Sequence, residues 1–456
     1  MRQIRLLGIT ALAVAACLAV LVTTAAAAPA PPIRMGFCGG DDWEPDVAAD
    51  GLGHVYVVWT HYVGDTTCDP ASASPHSTYI QVSNDGGLTF GPAHAVAPQP
   101  GGIDYPKQAD PTVVIGANGT IFVGFLAYGL NGGHTDVYVA RSTDFGASFT
   151  ATKINTHDCK NCDHEKLVTS GSDVYAAYSQ ATNHFIAHSS DGGATWTEAN
   201  VLRAGVVAFV ESGVVDAAGN AWFAWADCQS SSCSGVPAAD FRVSKTLAGT
   251  LTTTFTTVAS GTQGPDCPFS KCGFDYFGPQ DDIAIDAAGT LYLAWQQGQA
   301  PPVRASPPVV QLSRSTNGGQ TWSHVGRVDD KNASGCAASS CYALFPQIVG
   351  GLAGQLYAAW MDDRNGHPID HTNGWNVWLR TSTTGGTTWA GPSRRIAQFD
   401  PTQSQSGPNG FLFPYGDYFG LVLSPSCGKP LLTWGEGHNW VGGPSDPGHV
   451  EFRSLC

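Results

Sequence analysis

The feature that most constrains this sequence is a repeat. Seven segments each close a β-prone run on an aromatic residue, most of them after a glycine turn. They are His54–Trp59, Ile121–Phe125, Val174–Tyr178, Trp222–Trp225, Leu291–Trp295, Leu356–Trp360 and Leu431–Trp434. A shorter run precedes each, as in Asp46–Asp50 and Asp282–Asp286, and Gly53, Gly119, Gly219, Gly289 and Gly354 separate such runs. Two β-prone runs joined through a glycine read as a hairpin. A chain of 456 residues exceeds one ordinary core, and self-similarity along its length selects a repeat architecture.

A second hairpin follows most of these, with its own signature. Ser189–Trp196 reads Ser-Ser-Asp-Gly-Gly-Ala-Thr-Trp, and variants occupy Ser83–Phe90, Ser142–Phe149, Ser315–Trp322 and Ser382–Trp389. The residue types have a mechanism. Asp or Asn accepts backbone N–H bonds within the turn, glycine supplies positive φ, and the closing aromatic packs on the sheet. The motif resembles the Asp-box, or bacterial neuraminidase repeat, of sialidases and other secreted β-propellers. Two departures stand out: Thr384 replaces the Asp in the last copy, and the fourth unit, near Ser244, lacks the motif.

The resemblance, with two hairpins per unit, implies an all-β fold: a seven-bladed β-propeller of four-stranded antiparallel blades. Six blades, as in the sialidases, is the alternative. The seventh hairpin, Leu421–Trp434, gains a third strand from Val450–Leu455 and a fourth from Ile33–Phe37 at the other terminus. Closing the ring in this way removes exposed sheet edges.

Residues 1–30 read as a secretory signal: Arg2 and Arg5, an apolar run from Leu6 to Val22, then small residues to Ala30. Residues 31–456 are then a single propeller domain. A lipoprotein anchored through Cys17 is the minor alternative. No later stretch has the ~20 apolar residues of a membrane span. Twelve cysteines remain after the leader, an even number that suits disulfides in an oxidising compartment. Close spacing suggests the pairs 159–162, 228–233, 267–272 and 336–341, leaving 38–68 and 427–456. A net charge of −15 argues against polyanionic partners such as nucleic acid. The expected protein is a secreted monomer whose partner is an extracellular glycan.

In propellers of the resembled class the inner strands start at one mouth of the central channel, and the Asp-box turns lie on the opposite rim. Residues at the inner-strand starts are therefore the functional candidates: Glu44 and Asp46, Asp110, Glu165 beside His164 and Lys166, Glu211, Asp281 and Asp282, and Asp417 with Tyr418. Carboxylates crowded at one mouth raise one another's pKa, which suits acid–base chemistry or cation binding. Sialidases use a Tyr–Glu nucleophile pair, an Asp acid–base and three arginines. Glu211 and Tyr418, or Tyr415, fall where the resemblance implies the pair. The arginines fit less well: Arg34 is followed by Met35-Gly36, where the family has Ile or Leu and then Pro. Arg141, Arg314 and Arg380 recur just before the turn motifs, as structural residues would.

The site expected from these arguments is Glu211, Asp281, Asp282, Asp417 and Tyr418 for catalysis, with Asp46, Glu165, Arg364 and Trp440 binding substrate. Loop aromatics Trp43, Trp375, Tyr105 and Tyr276 are further candidates for stacking on sugar rings. No cofactor and no metal site is expected, although a structural calcium fits such a mouth. The cluster His157–His164 could ligate zinc, but the cysteine arithmetic favours a Cys159–Cys162 disulfide. The expected function is glycoside hydrolysis of a sialidase-like kind. Lyase action with Tyr418 or His164 as base is a variant, and a noncatalytic glycan- or protein-binding module is the alternative.

Overall fold

The computed structural model describes residues 31–37, 41–62, 76–97, 107–130, 134–203, 205–229, 238–262, 279–298, 307–334, 336, 341–365, 375–397, 418–436 and 448–456. They form seven four-stranded antiparallel sheets, with a single short 3-10 turn at Lys331–Ser334 among the described residues. Strand β1 (Ile33–Met35) stands apart from its sequence neighbours. Blade I holds β2 (Asp41–Ala49), β3 (Val55–Tyr62), β4 (Ser77–Ser83) and β5 (His94–Ala95). Blade II holds β6 (Lys107–Ile115), β7 (Ile121–Leu130), β8 (His134–Ser142) and β9 (Thr150–Lys153). Blade III runs β10 (Cys162–Ser170), β11 (Asp173–Gln180), β12 (Asn183–Ser189) and β13 (Thr197–Arg203). Blade IV runs β14 (Ala208–Val215), β15 (Ala221–Cys228), β16 (Ala238–Thr246) and β17 (Thr253–Thr262).

Blade V comprises β18 (Asp281–Ile285), β19 (Leu291–Gln297), β20 (Val309–Ser315) and β21 (Ser323–Arg327). Blade VI comprises β22 (Ala343–Gly350), β23 (Leu356–Asp362), β24 (Asn376–Ser382) and β25 (Arg394–Arg395). In blade VII, β26 (Phe419–Leu423), β27 (Pro430–Glu436) and β28 (His449–Ser454) are completed by β1, with Met35 opposite Val450. Both chain ends thus build the last sheet, as the sequence predicts. The Cys427–Cys456 disulfide ties its outer turn to the final residue.

Each first strand packs against the first strand of the next blade, and β26 packs against β2, so seven inner strands circle one axis. The core lies between blades rather than within them. Val58 and Ile80 of blade I pack on Val113, Val123 and Phe125 of blade II, and Leu432 and Trp434 pack on Val377 and Leu379 of blade VI. The closing aromatics Trp59, Tyr178, Trp225, Trp360 and Trp434 are fully buried in these interfaces. Trp43 and Trp375, expected as loop aromatics, are also fully buried; the indole of Trp43 is hydrogen-bonded to Asp41. They are packing residues: Trp43 lies within β2, and Trp375, just ahead of β24, packs in the core between blades VI and VII.

The outer turns adopt the expected caps. Asp191 Oδ1 accepts from the N–H groups of Ala194 and Thr195 at 3.1 and 2.9 Å, and Gly193 N–H donates to Ser189 Oγ at 2.8 Å. Gly193 has φ of +85°, and a Cβ there would stand 2.8 Å from the Phe122 ring of blade II, so this glycine serves both the turn and the blade contact. In the last copy Thr384 Oγ1 accepts only the Thr388 N–H at 2.9 Å among the turn's backbone donors. A Thr384→Asp variant regains a carboxylate acceptor and is expected to be about 0.5–1 kcal/mol more stable in urea unfolding.

Candidate active site at the channel mouth

The inner strands are irregular where they enter the channel. In four blades two residues oppose the closing aromatic of the second strand: Glu44-Pro45, Asp110-Pro111, His164-Glu165 and Phe345-Pro346. The first residue of each pair is left-handed, with φ of 57°, 56°, 53° and 53°. A non-glycine residue held there costs about 1–2 kcal/mol, and such bulges re-aim side chains beside functional sites. Proline suits the second place because it has no N–H to leave outside the ladder. In blade IV a single extra residue, Glu211, sits between Val210 and Ser212 in the register.

One position further on, Asp46, Thr112, Lys166, Ser212, Asp282 and Gln347 occupy equivalent places, each paired with the residue before the closing aromatic. Several latch adjacent blades. Asp46 Oδ2 accepts from Val113 N–H at 2.8 Å and Thr112 Oγ1 at 3.1 Å. Asp282 Oδ2 accepts from Ile348 N–H at 2.5 Å, and Ser212 Oγ accepts from Ile283 N–H at 2.8 Å. Glu44 Oε2 accepts from Asp110 N–H at 2.9 Å and Thr60 Oγ1 at 2.5 Å. Asp46 and Asp282 therefore line the channel with carboxylates already engaged in joining blades.

The channel encloses a cavity of about 450 Å³ bounded by all seven inner strands, a size suited to a small ligand. Val113, Ile283, Val349 and Val422 line it together with the polar Lys166, Glu211, Asp281 and Tyr418. Tyr418, from blade VII, reaches blade III: its hydroxyl lies 3.0 Å from His164 Nδ1, and Lys166 Nζ lies 4.2 Å from its ring centre. Glu211 Oε2 is 3.7 Å from the same His164 nitrogen. Burial disfavours the charged form of His164, but Asp163 and Glu211 outweigh it and push its pKa up to about 10. Tyr418 is thus flanked by a His164 held protonated through neutral pH and by the Lys166 side chain over its ring.

Two further acids differ from the latches. Asp281 and Glu165 are buried, and no carboxylate oxygen of either has a hydrogen-bond partner. Burial, reinforced for Asp281 by Glu211 and for Glu165 by Asp110, holds both well above the ordinary carboxylate range. Asp281 lines the cavity with its carboxyl biased toward the protonated form by burial and by Glu211. Glu165 instead packs against the backbone of blade II, where a Cβ on Gly124 would meet its Cγ at 3.2 Å.

Arg364 lies elsewhere. Its guanidinium forms a two-pronged pair with Asp362 at 2.8 and 2.6 Å, bonds Asp330 at 3.0 Å and stacks 3.9 Å from the Trp378 ring centre. It is absent from the lining of the channel cavity, and local carboxylates engage the guanidinium. Asp417, Trp440, Tyr415, Tyr105 and Tyr276 lie outside the described residues. Cys159–Cys162 and Cys336–Cys341 are disulfides, as expected, so His157 has no thiolate beside it and bonds Glu198 at 2.9 Å. Lys166, named in the sequence only as a neighbour of Glu165, lies over the Tyr418 ring. The signal that locates it is the recurrent bulge, legible as Glu44-Pro45-Asp46, Asp110-Pro111-Thr112 and Phe345-Pro346-Gln347, with which His164-Glu165-Lys166 aligns.

The buried acids give stability a definite pH slope. Burial and Asp110 raise Glu44 to about 8, and burial raises Asp282 to about 7. Each binds its proton more tightly in the fold, so its contribution is complete below about pH 4 and is lost as pH rises through these values. His164 adds loss in the same direction, between about 6.5 and 10. Melting temperature is therefore expected to fall between pH 5 and 8, and Glu44→Gln to flatten that fall in calorimetry.

No family model and no curated protein matches this chain. Among solved structures it is similar to an ulvan lyase, a polysaccharide lyase, at 11% identity over 92% of this chain and 95% of that one, with a TM-score of 0.54. A Dyadobacter fermentans protein of unknown function matches at 13% identity, 93% and 98% coverage and a TM-score of 0.49. The intramolecular trans-sialidase of Ruminococcus gnavus matches at 13%, 92% and 96%, with a TM-score of 0.45. At 11% identity the ulvan lyase match is a likeness of fold alone, and the seven blades are counted from this chain's own sheets.

Proposed function

We propose that this chain is an exported glycan-acting enzyme, a glycoside hydrolase with Tyr418 as nucleophile and Asp281 as acid. The observation that carries the reading is the Tyr418 hydroxyl at 3.0 Å from a His164 nitrogen that also faces Glu211 at 3.7 Å. In this scheme the phenolic oxygen attacks the anomeric carbon. His164 takes the phenolic proton as it yields its Nδ1 proton to Glu211. The glycosidic C–O bond breaks, and Asp281 supplies the proton to the leaving oxygen. Water then displaces Tyr418, giving its proton to Asp281, while His164 returns a proton to the departing phenolate and recovers its own from Glu211. Lys166 and the imidazolium favour a carboxylated sugar, which compensates in part for the missing arginine triad. The N-terminal leader pattern and the disulfides support an extracellular setting.

A second reading, β-elimination on an acidic polysaccharide, is favoured by one observation: both cations flank the same phenol, as a base and a carboxylate-neutralising group would require. The test is a panel of chromogenic glycosides, including a sialoside, alongside anionic polysaccharides followed by the ultraviolet absorbance of an unsaturated product. Release of aglycone without unsaturation, abolished in Asp281→Asn, is expected. Unsaturation without hydrolysis selects the lyase. Glycan binding with neither product overturns the enzymatic reading in favour of a binding module.

A further inference from the structure

Blade VII holds another group of metal-ligating side chains, none of which lines the channel cavity. Glu436 of β27 lies directly opposite His449 of β28, and Glu451 follows His449 by two positions. All three side chains therefore leave one face of the sheet. That face turns toward blade VI, since Trp434, two residues from Glu436, packs on Val377 and Leu379. His449, Glu451 and Glu436 are only 0%, 2% and 4% exposed, and one donor atom from each lies within 4.8 Å of the others. His449 Nε2 and Glu451 Oε1 stand 3.3 Å apart, and two ligands of a tetrahedral ion with bonds of about 2.0–2.1 Å are separated by about 3.3 Å. Trp434 Nε1 donates to Glu436 Oε1 at 2.7 Å, orienting that carboxylate as outer partners orient metal ligands.

We propose that Glu436, His449 and Glu451 form a divalent-metal site, with zinc the best-fitting ion. One imidazole and two carboxylates suit a borderline ion with a small shell, whereas calcium takes 6–8 hard oxygens. The ion would join β27 to β28, the strand on which β1 closes the ring, so its role is structural and independent of the hydrolase reading. The other histidine–cysteine group, around His157, is spent on the Cys159–Cys162 disulfide.

The test uses the full chain, purified from the medium without reductant, stripped with chelator and reloaded. About one zinc per chain is expected by elemental analysis, with a melting temperature that rises on loading and falls on chelation. Glu451→Gln and His449→Gln should each lose the bound zinc and the thermal response, while a Cys159→Ser, Cys162→Ser double variant keeps both. Cobalt loaded into the unsubstituted chain should give the d–d spectrum of a low-coordinate nitrogen–oxygen site, a readout that survives misfolding of either variant. A chain that takes up no metal, or zinc retained in both ligand variants, overturns the proposal and leaves His449 and Glu451 as a buried pair without an ion.

Discussion

Replacing Tyr418 with phenylalanine is expected to lower kcat by about 10²–10⁴-fold on whichever glycan the chain turns over, with a much smaller change in KM. The substitution removes one oxygen and keeps the ring over which Lys166 sits at 4.2 Å. Substrate contacts and the packing of the channel mouth therefore persist. What disappears is the atom that His164 faces at 3.0 Å, and with it both the nucleophile of the hydrolytic scheme and the base of the elimination scheme. Steady-state kinetics of the variant, with its melting curve as a check on folding, measure this directly. Activity within a few-fold of the unsubstituted chain would remove Tyr418 from the chemistry and leave the Glu211–Asp281 side of the cavity to explain it.

Arg364→Met is expected to have the largest effect on stability, a loss of about 3–5 kcal/mol, because it strips the partner from a fully buried carboxylate. Burial already raises Asp362 to about 6 even with the guanidinium against it. Without Arg364 it would take up a proton instead of remaining charged, and that escape costs least in acid. The deficit should accordingly be smaller at pH 5 than at pH 8, as measured by guanidinium unfolding. Catalytic activity of the folded fraction should be unchanged, since Arg364 is absent from the cavity lining. An equal deficit at both pH values would mean that Arg364 acts through its stacking on Trp378 rather than through charge.

The parts of the molecule legible in the sequence are those set by local chemistry. Glycine turns and closing aromatics fix each hairpin wherever it sits, so seven hairpins and the capped outer turns could be read from residue types, and the propeller resemblance added the closing of the last blade by a strand near Ile33–Phe37. The acids near each inner-strand start could be placed at one mouth only through the resemblance to Asp-box propellers. Their roles could not. Asp46 and Asp282 resemble Asp281 in the sequence, yet two of these carboxylates receive the N–H of the next blade and one receives none. Which blade's backbone meets which side chain is a property of the closed ring. The same holds for Tyr418, whose partners His164 and Lys166 come from blade III. For Arg364 the local pattern was in fact sufficient: Asp362 and Asp363 stand beside it, and a guanidinium with an acid two residues away is bound first by its neighbour.

The seventh blade also sets an order of events in the life of the chain. Blades I to VI are each contiguous in sequence and can form as the chain is made, but β1 has nothing to pair with until β28, near the other end of the sequence, has been added. Any segment left attached ahead of Ile33 would ride at the rim of the finished disc. A short peptide grafted at that end should therefore be displayed at the propeller's circumference, whereas one inserted between β1 and β2 would press on the strand that completes the circle.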